Sequence, residues 1–313
     1  AWHATSPSGL LHSASGWALG QWGSYPEPKP SNDGPQPERD WFVNAVGQTF
    51  VRIPAGSTTR KDEEQIRDLA RVMEELRMAD EPTATLAASD DEFWMSDSEV
   101  TSVNFFEFYS DTQVPSSDRL TRSMPDTETP LGATAPHPMA NITFADAALF
   151  CNWLSLREGR MPCYERTGQM LKQDKGDRIS DLWRVRPKAN GYRLPWASEW
   201  IRACRAGTTT EYSFGNHDQR LKDYGIFLEN SKGIAASVRS RRCNGWGLFD
   251  MHGNLFEWCN DRAELNSHRY IIQGGCFAGR AGDCSVQPSR KESARRGALT
   301  RSPQLGMRLV IRP

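Results

Sequence analysis

Apolar residues in this chain come in short bursts, and few bursts keep one period for long. Thr49 to Ile53, followed by Pro54-Ala55-Gly56, predicts a strand closed by a turn. Ile66, Leu69, Val72, Met73 and Leu76 fall on one face of a helix over 61–79. Phe93-Trp94-Met95 predicts a strand that passes through Glu99-Val100-Thr101 into an aromatic-rich helix reaching Tyr109. Thr143 and Asp146 have the spacing of a capping box, so a helix is expected from Phe144 to Leu156. A second such segment, Ala197 to Ala206, follows Arg193-Leu194-Pro195-Trp196 and is stopped by Gly207. Residues 157–190 are charged, contain two prolines and read as loop. The C-terminal third holds short apolar runs, such as Tyr270-Ile271-Ile272 and Met307 to Val310, separated by glycines. Nothing repeats at a fixed period. The pattern predicts an α+β fold with little regular secondary structure.

At the other end, Leu10, Ala14, Trp17 and Ala18 recur at helical spacing, predicting a short amphipathic helix. Five prolines between Tyr25 and Glu38 then give a linker composition. Residues 1–38 are therefore expected to be a helix and Pro-rich linker from an upstream domain, with one main domain over 39–313.

Composition narrows the function classes. Net charge is -1, so no global field draws the chain to nucleic acid or anionic lipid. No apolar run approaches the ~20 residues of a membrane helix. Seven cysteines, widely spaced and odd in number, argue against a disulfide scaffold and favour buried reduced thiols in a bacterial cytoplasmic protein. Six scattered histidines form no metal-binding motif.

The densest segment is Trp246 to Trp258. Within it, Gly247 and Gly253 alternate with Asp250, Asn254 and Glu257 and with four aromatic side chains. It is too polar for a core strand and too aromatic for a flexible loop, so a fixed irregular backbone is expected. This run resembles the W-G-L-x-D-M-x-G-N-x-x-E-W signature of the formylglycine-generating enzyme, or sulfatase-modifying factor, family. Collinear matches extend the resemblance: Phe50 to Gly56, Glu99-Val100-Thr101, Ala145 to Leu154, Tyr192 to Thr210, Gly274-Gly275 and Gly306-Met307-Arg308. It implies the family's fold, a variant of the C-type lectin fold.

The resemblance further implies a structural calcium held by the side chains of Asp250 and Glu257 and the carbonyls of Met251, Gly253 and Leu255. Oxygen donors of that kind suit calcium; the bland alternative is a turn whose Asp caps an amide and whose Glu is solvated. Catalytic members use copper on two cysteines. The positions matching that pair are Gly279 and Cys284, so one thiolate is missing, and a linear Cu(I) site needs two. Cys276 replaces the family serine after Gly274-Gly275, and Phe256 replaces a tryptophan of the oxygen pocket. Either Cys276 and Cys284 form a replacement pair, or both are buried structural thiols.

Beyond them, Phe277, Arg280, Arg290, Arg295, Arg296, Leu299 and Arg301 suggest a basic, partly apolar surface for an acidic peptide or protein. Ordinary solvated arginines are the competing explanation. The reading is a non-catalytic domain that binds a peptide or protein as the C-terminal module of a larger polypeptide. Two alternatives stand beside it: a copper-dependent oxidase forming formylglycine through Cys276 and Cys284, and a retroelement-diversified ligand binder.

Overall fold

The computed structural model describes residues 2–24, 29–56, 91–114, 136–172, 179–186, 188–262, 269–286 and 295–312. The helix expected over 61–79 lies outside them. Two four-stranded sheets and a hairpin form the β layer. In the first sheet, β1 (Trp41–Val43), β2 (Thr49–Ile53) and β3 (Phe93–Ser96) run antiparallel, and the short C-terminal β10 (Val310–Ile311) completes it in the order β1-β2-β3-β10. Pairing of Val51 with Met95, and of Met95 with Val310, carries the chain end back across the sheet centre. The second sheet has the order β8-β7-β6-β9, from β6 (Phe256–Arg262), β7 (Arg269–Gln273), β8 (Arg295–Gly297) and β9 (Leu305–Gly306). Only its β6–β9 pair is parallel. The segment 157–190 is a hairpin rather than loop, β4 (Tyr164–Lys172) against β5 (Ile179–Val185). Its exposed positions carry the charge that read as loop, while Tyr164 and Trp183 enter the main core and the Tyr164 hydroxyl donates to Asn260 of β6.

Local chemistry sets the helices. In α3 (Ser102–Ser110), Thr101 accepts from the Asn104 amide while the Asn104 side chain accepts from the Thr101 amide. In α4 (Phe144–Arg157), Thr143 and Asp146 make the predicted reciprocal cap. Each satisfies amides that a helix start leaves without partners. The third, α5 (Ala197–Arg205), ends with Ala206 in the left-handed region and Gly207 following. Its first amide, from Ala197, donates to Asp261 Oδ2 at 2.6 Å, tying the helix to β6. A short α6 (Leu221–Tyr224) precedes the signature run. The larger core unites α3 and α4 with the inner faces of both sheets through Phe50, Phe105, Phe144, Phe150 and Trp258. A second core packs α5 against the other face of the first sheet through Trp200, Ile201, Val51 and Met95.

The N-terminal segment holds α1 (Trp2–Thr5) and α2 (Gly9–Gln21). The helix is where periodicity put it, but the face it buries is Gly9, His12, Ser13 and Gly16, leaving Leu10 and Leu11 largely exposed. Small residues win because the helix lies very close to the domain. A Cβ on Gly9 would meet the Asp40 carbonyl at 2.8 Å, and one on Gly247 would meet the Gly9 carbonyl at 2.9 Å. His12 stacks on Trp41 at 3.7 Å, and Trp41 Nε1 donates to the Ser6 carbonyl. The boundary expected at residue 38 is thus a change of composition but not of packing: α2 is docked on the domain instead of being held off on a tether.

Burial raises the Asp261 pKa to about 6, because its carboxylate is hidden from water and has little to offset that beyond the Ala197 amide. A raised acid stabilises the fold below the unfolded pKa, and that contribution is lost as pH rises through the folded value. Asp261→Asn should remove this dependence. Relative to the variant, the wild type should lose on the order of 3 kcal/mol between about pH 4 and pH 7, measured by urea unfolding.

Candidate functional site

The signature run is held in shape from several sides. Asn244 Oδ1 accepts from the amides of Trp246 and Leu248, and its Nδ2 donates to the Ala203 and Cys204 carbonyls at the end of α5. Asp250 and Asn254 take positive φ, at 59° and 60°, a conformation that short polar side chains tolerate better than most. Gly253, at φ 114°, has the Ile226 carbonyl 2.1 Å from where a Cβ would stand, so only glycine fits. Asn254 donates to Glu99 Oε2 and accepts from the Ala236 amide, while Glu99 Oε1 accepts from the Leu255 amide. The Glu99-Val100-Thr101 motif and the signature run are thereby one unit.

At its centre lies an ion pair. Glu257 accepts from Arg308 Nε and Nη2 at 2.8–3.1 Å and from Trp200 Nε1 at 2.6 Å. The remaining Arg308 donors reach the carbonyls of Ser96 and Phe249. Both charged side chains are fully buried. Burial, then the charges of Asp250 and Glu257, push the Glu99 carboxyl well above the usual carboxylate range, and burial raises Asp250 to about 6.

The calcium set expected from the family does not fit this arrangement. Asp250 Oδ1 is buried without a hydrogen-bond partner, as a ligand would be, and Oδ2 accepts from the Arg239 amide. Glu257, however, is committed on both oxygens to a guanidinium, which would also repel a divalent ion. The Met251 carbonyl accepts from the Cys204 thiol. Among the described residues no group of three or more His, Cys, Asp or Glu side chains is arranged to hold a metal.

Cys276 and Cys284 are brought onto one loop, both buried and unoxidised. Cys284 Sγ fills the space beside Gly275, 2.6 Å from where a Cβ would stand. It sits in an apolar cluster with Tyr212, Leu221 and Phe227. The Cys276 thiol faces Gln304 Oε1 at 3.5 Å. Burial pushes both thiols up, and for Cys284 the neighbouring Cys276 and Asp283 push further the same way. Neither is poised as a thiolate. Gly279 occupies the position of the other family cysteine.

His252, inside the signature run, is buried behind Cys284. The Ser213 amide can only donate, so the His252 Nε2 it reaches at 3.1 Å is the unprotonated nitrogen. Nδ1 then donates to the Cys284 carbonyl at 2.9 Å. Burial lowers the His252 pKa to about 4, keeping it neutral. A lone histidine inside the signature run was the only sequence signal.

The expected ligand residues do not form one surface. Phe277 is core, packed with Ile226 and Leu255. Arg301 is committed to Asp146 at 2.8 Å and to the Asn141 carbonyl. Arg296 is half-buried with its guanidinium 5.8 Å from the Phe256 ring centroid, and Leu299 is half-buried. Arg295 contributes backbone to β8, and Arg290 lies outside the described residues. Buried apolar and acidic neighbours claim Phe277 and Arg301, and Arg280 is exposed. Leu228, more than half exposed, is tied to the same loop, its amide donating to the Gly279 carbonyl.

A C-type-lectin-like α+β scaffold with a fixed signature turn and a two-cysteine loop defines a formylglycine-generating-enzyme-type domain. The chain belongs to the sulfatase-modifying factor enzyme 1-like domain family, which matches residues 41–313. It is 28% identical over 142 residues to a Paenibacillus barcinonensis protein named chaperone protein LppX. It is 35% identical over 82 residues to the formylglycine-generating enzyme of Mycobacterium tuberculosis. These matches cover 39% and 22% of the chain, and 51% and 26% of the two relatives. The chain thus spans about half or less of their lengths. Among solved structures, Treponema denticola variable protein 1 superposes with a TM-score of 0.58 at 23% identity, over 87% of this chain and 98% of that one. PvdO from Pseudomonas aeruginosa gives 0.58 at 16% identity, over the same shares. At these identities the likeness is one of fold.

Removing one side of the central pair should be severe. Arg308→Ala leaves Glu257 buried and uncompensated, and about 3–5 kcal/mol of stability should be lost in chemical denaturation. Arg308→Met with Glu257→Leu should recover only part of that loss, because Trp200 Nε1 and the Ser96 and Phe249 carbonyls are then buried without partners.

Proposed function

We propose that this is a catalytically silent member of its family that binds a peptide or protein, as a module of a larger polypeptide. One observation carries the reading: the only family cysteine retained, Cys284, is packed in an apolar cluster with a raised pKa, and its partner position is Gly279. A copper(I) site of two thiolates cannot be assembled from one of them. Cys276 stands at the family serine's position and not at that of the second thiol, and its own thiol faces Gln304.

What is left for function is surface. Leu228 and Arg280 present apolar area and a cation on the same loop face. Exposed large apolar residues grouped with an arginine suit a protein partner better than bulk solvent. The partner would be a peptide or protein offering apolar side chains and a carboxylate.

The test is mass spectrometry of a peptide carrying a Cys-x-Pro-x-Arg sequence, incubated with the protein, copper and oxygen, beside an active enzyme of the family. No conversion is expected. A mass loss matching thiol-to-aldehyde conversion, abolished by Cys284→Ala, would overturn the proposal. In the silent protein Cys284→Ala should only lower stability, by about 1–2 kcal/mol for a small buried side chain.

A further inference from the structure

A cavity of about 580 Å³ lies between α3, α4 and β4 and shares no residue with the site above. Phe108, Leu149, Trp153, Leu156 and Pro162 give it apolar walls. Its volume falls in the range of pockets that enclose small molecules. Two polar side chains in those walls are already satisfied. Asp111 accepts from the Gln113 amide at 2.9 Å and from Trp153 Nε1 at 2.8 Å. Asn152 exchanges both its amide bonds with the Tyr164 backbone. An apolar body entering the cavity therefore leaves neither of them unpaired.

Two cations line the same cavity. Arg157 reaches Glu107 through Nη1 at 3.0 Å, with its guanidinium 5.2 Å from the Trp153 ring centroid. Arg186 reaches Glu165 through Nε at 2.9 Å. Both arginine side chains are 41% exposed, so these are surface ion pairs contributing about 0–1 kcal/mol. A guanidinium has five N–H donors in a rigid fork, so a third carboxylate can be bound without first breaking either pair.

We propose that this cavity binds an amphiphilic carboxylate, with an alkyl or aryl body against Phe108, Leu149 and Trp153 and its carboxylate on Arg157 and Arg186. The apolar walls select the body and the two guanidiniums select the charge. A cationic amphiphile meets two like charges, and a neutral one forgoes the only strong polar contacts on offer.

The experiment titrates a dansyl-labelled undecanoic acid into the full chain and follows dansyl emission. Saturable enhancement is expected, reversed by laurate and far less by its uncharged amide. Arg157→Gln combined with Arg186→Gln should weaken laurate roughly tenfold, the effect of losing charge-assisted hydrogen bonds. Leu156→Glu changes a 65%-exposed side chain, so folding should be kept while the new carboxylate repels the ligand by a similar factor. Circular dichroism verifies the fold of each variant. Non-saturable emission, equal competition by the amide, or wild-type affinity in the folded variants would each overturn the proposal.

Discussion

The buried pairing of Arg308 with Glu257 is the constraint on which the rest of this structure depends. One guanidinium joins the C-terminal segment to β6, to the end of β3 through Ser96, and to the signature run through Phe249. The carboxylate it meets is also bonded to Trp200 of α5. Four parts of the chain that are far apart in sequence thus meet at one point. In a fold with short strands and long irregular connections, few ladder hydrogen bonds are available to fix such segments. Directional bonds from one planar cation do that work instead. The stability this contributes over an apolar core need not be large. What it supplies is register: its donors are divided among Glu257 and the Ser96 and Phe249 carbonyls, and a slipped segment would leave a charge unpaired.

The same logic explains the acids around it. Glu99, Asp250 and Glu257 share one region with Arg308, and the first two are pushed toward their neutral forms. A protonated Glu99 still accepts from Asn254 and from the Leu255 amide. The cluster is therefore held by hydrogen bonds on its acidic side and by one cation at its centre.

Legibility followed the range of the interactions. Local signals read correctly: the Thr143–Asp146 cap, the stop at Ala206-Gly207, the strand at 49–53 and the fixed turn at 246–258 all rest on neighbours within a few residues. The α+β class and the family followed from such segments taken in order. What failed needed distant partners. The face of α2 is chosen by Gly9 and Gly247 meeting across the fold, which outweighs the apolar spacing of its own residues. Phe277 reads as a surface aromatic until Ile226 and Leu255 enclose it. Arg301 reads as a free cation until Asp146 appears from another helix. Glu257 reads as an ion ligand because the resemblance names ligands and is silent about which cation a given chain brings to them.

Separation between the framework and the chemical loop accounts for a domain that keeps its fold without the thiol pair. Cys284 contributes packing against Tyr212 and Leu221, and its carbonyl receives the His252 ring. Neither role depends on a second cysteine. At position 279 the glycine is not demanded by the backbone: a Cβ there would lie 3.3 Å from the Cys276 carbonyl and 3.4 Å from Asp283 Cβ, tight but within reach of small shifts. Gly253 and Gly225 differ sharply, since a Cβ at either would stand about 2 Å from a backbone oxygen, at 2.1 Å and 1.8 Å. The framework glycines are fixed by sterics, whereas Gly279 is not. Glycine at 279 is therefore not forced by how the domain folds.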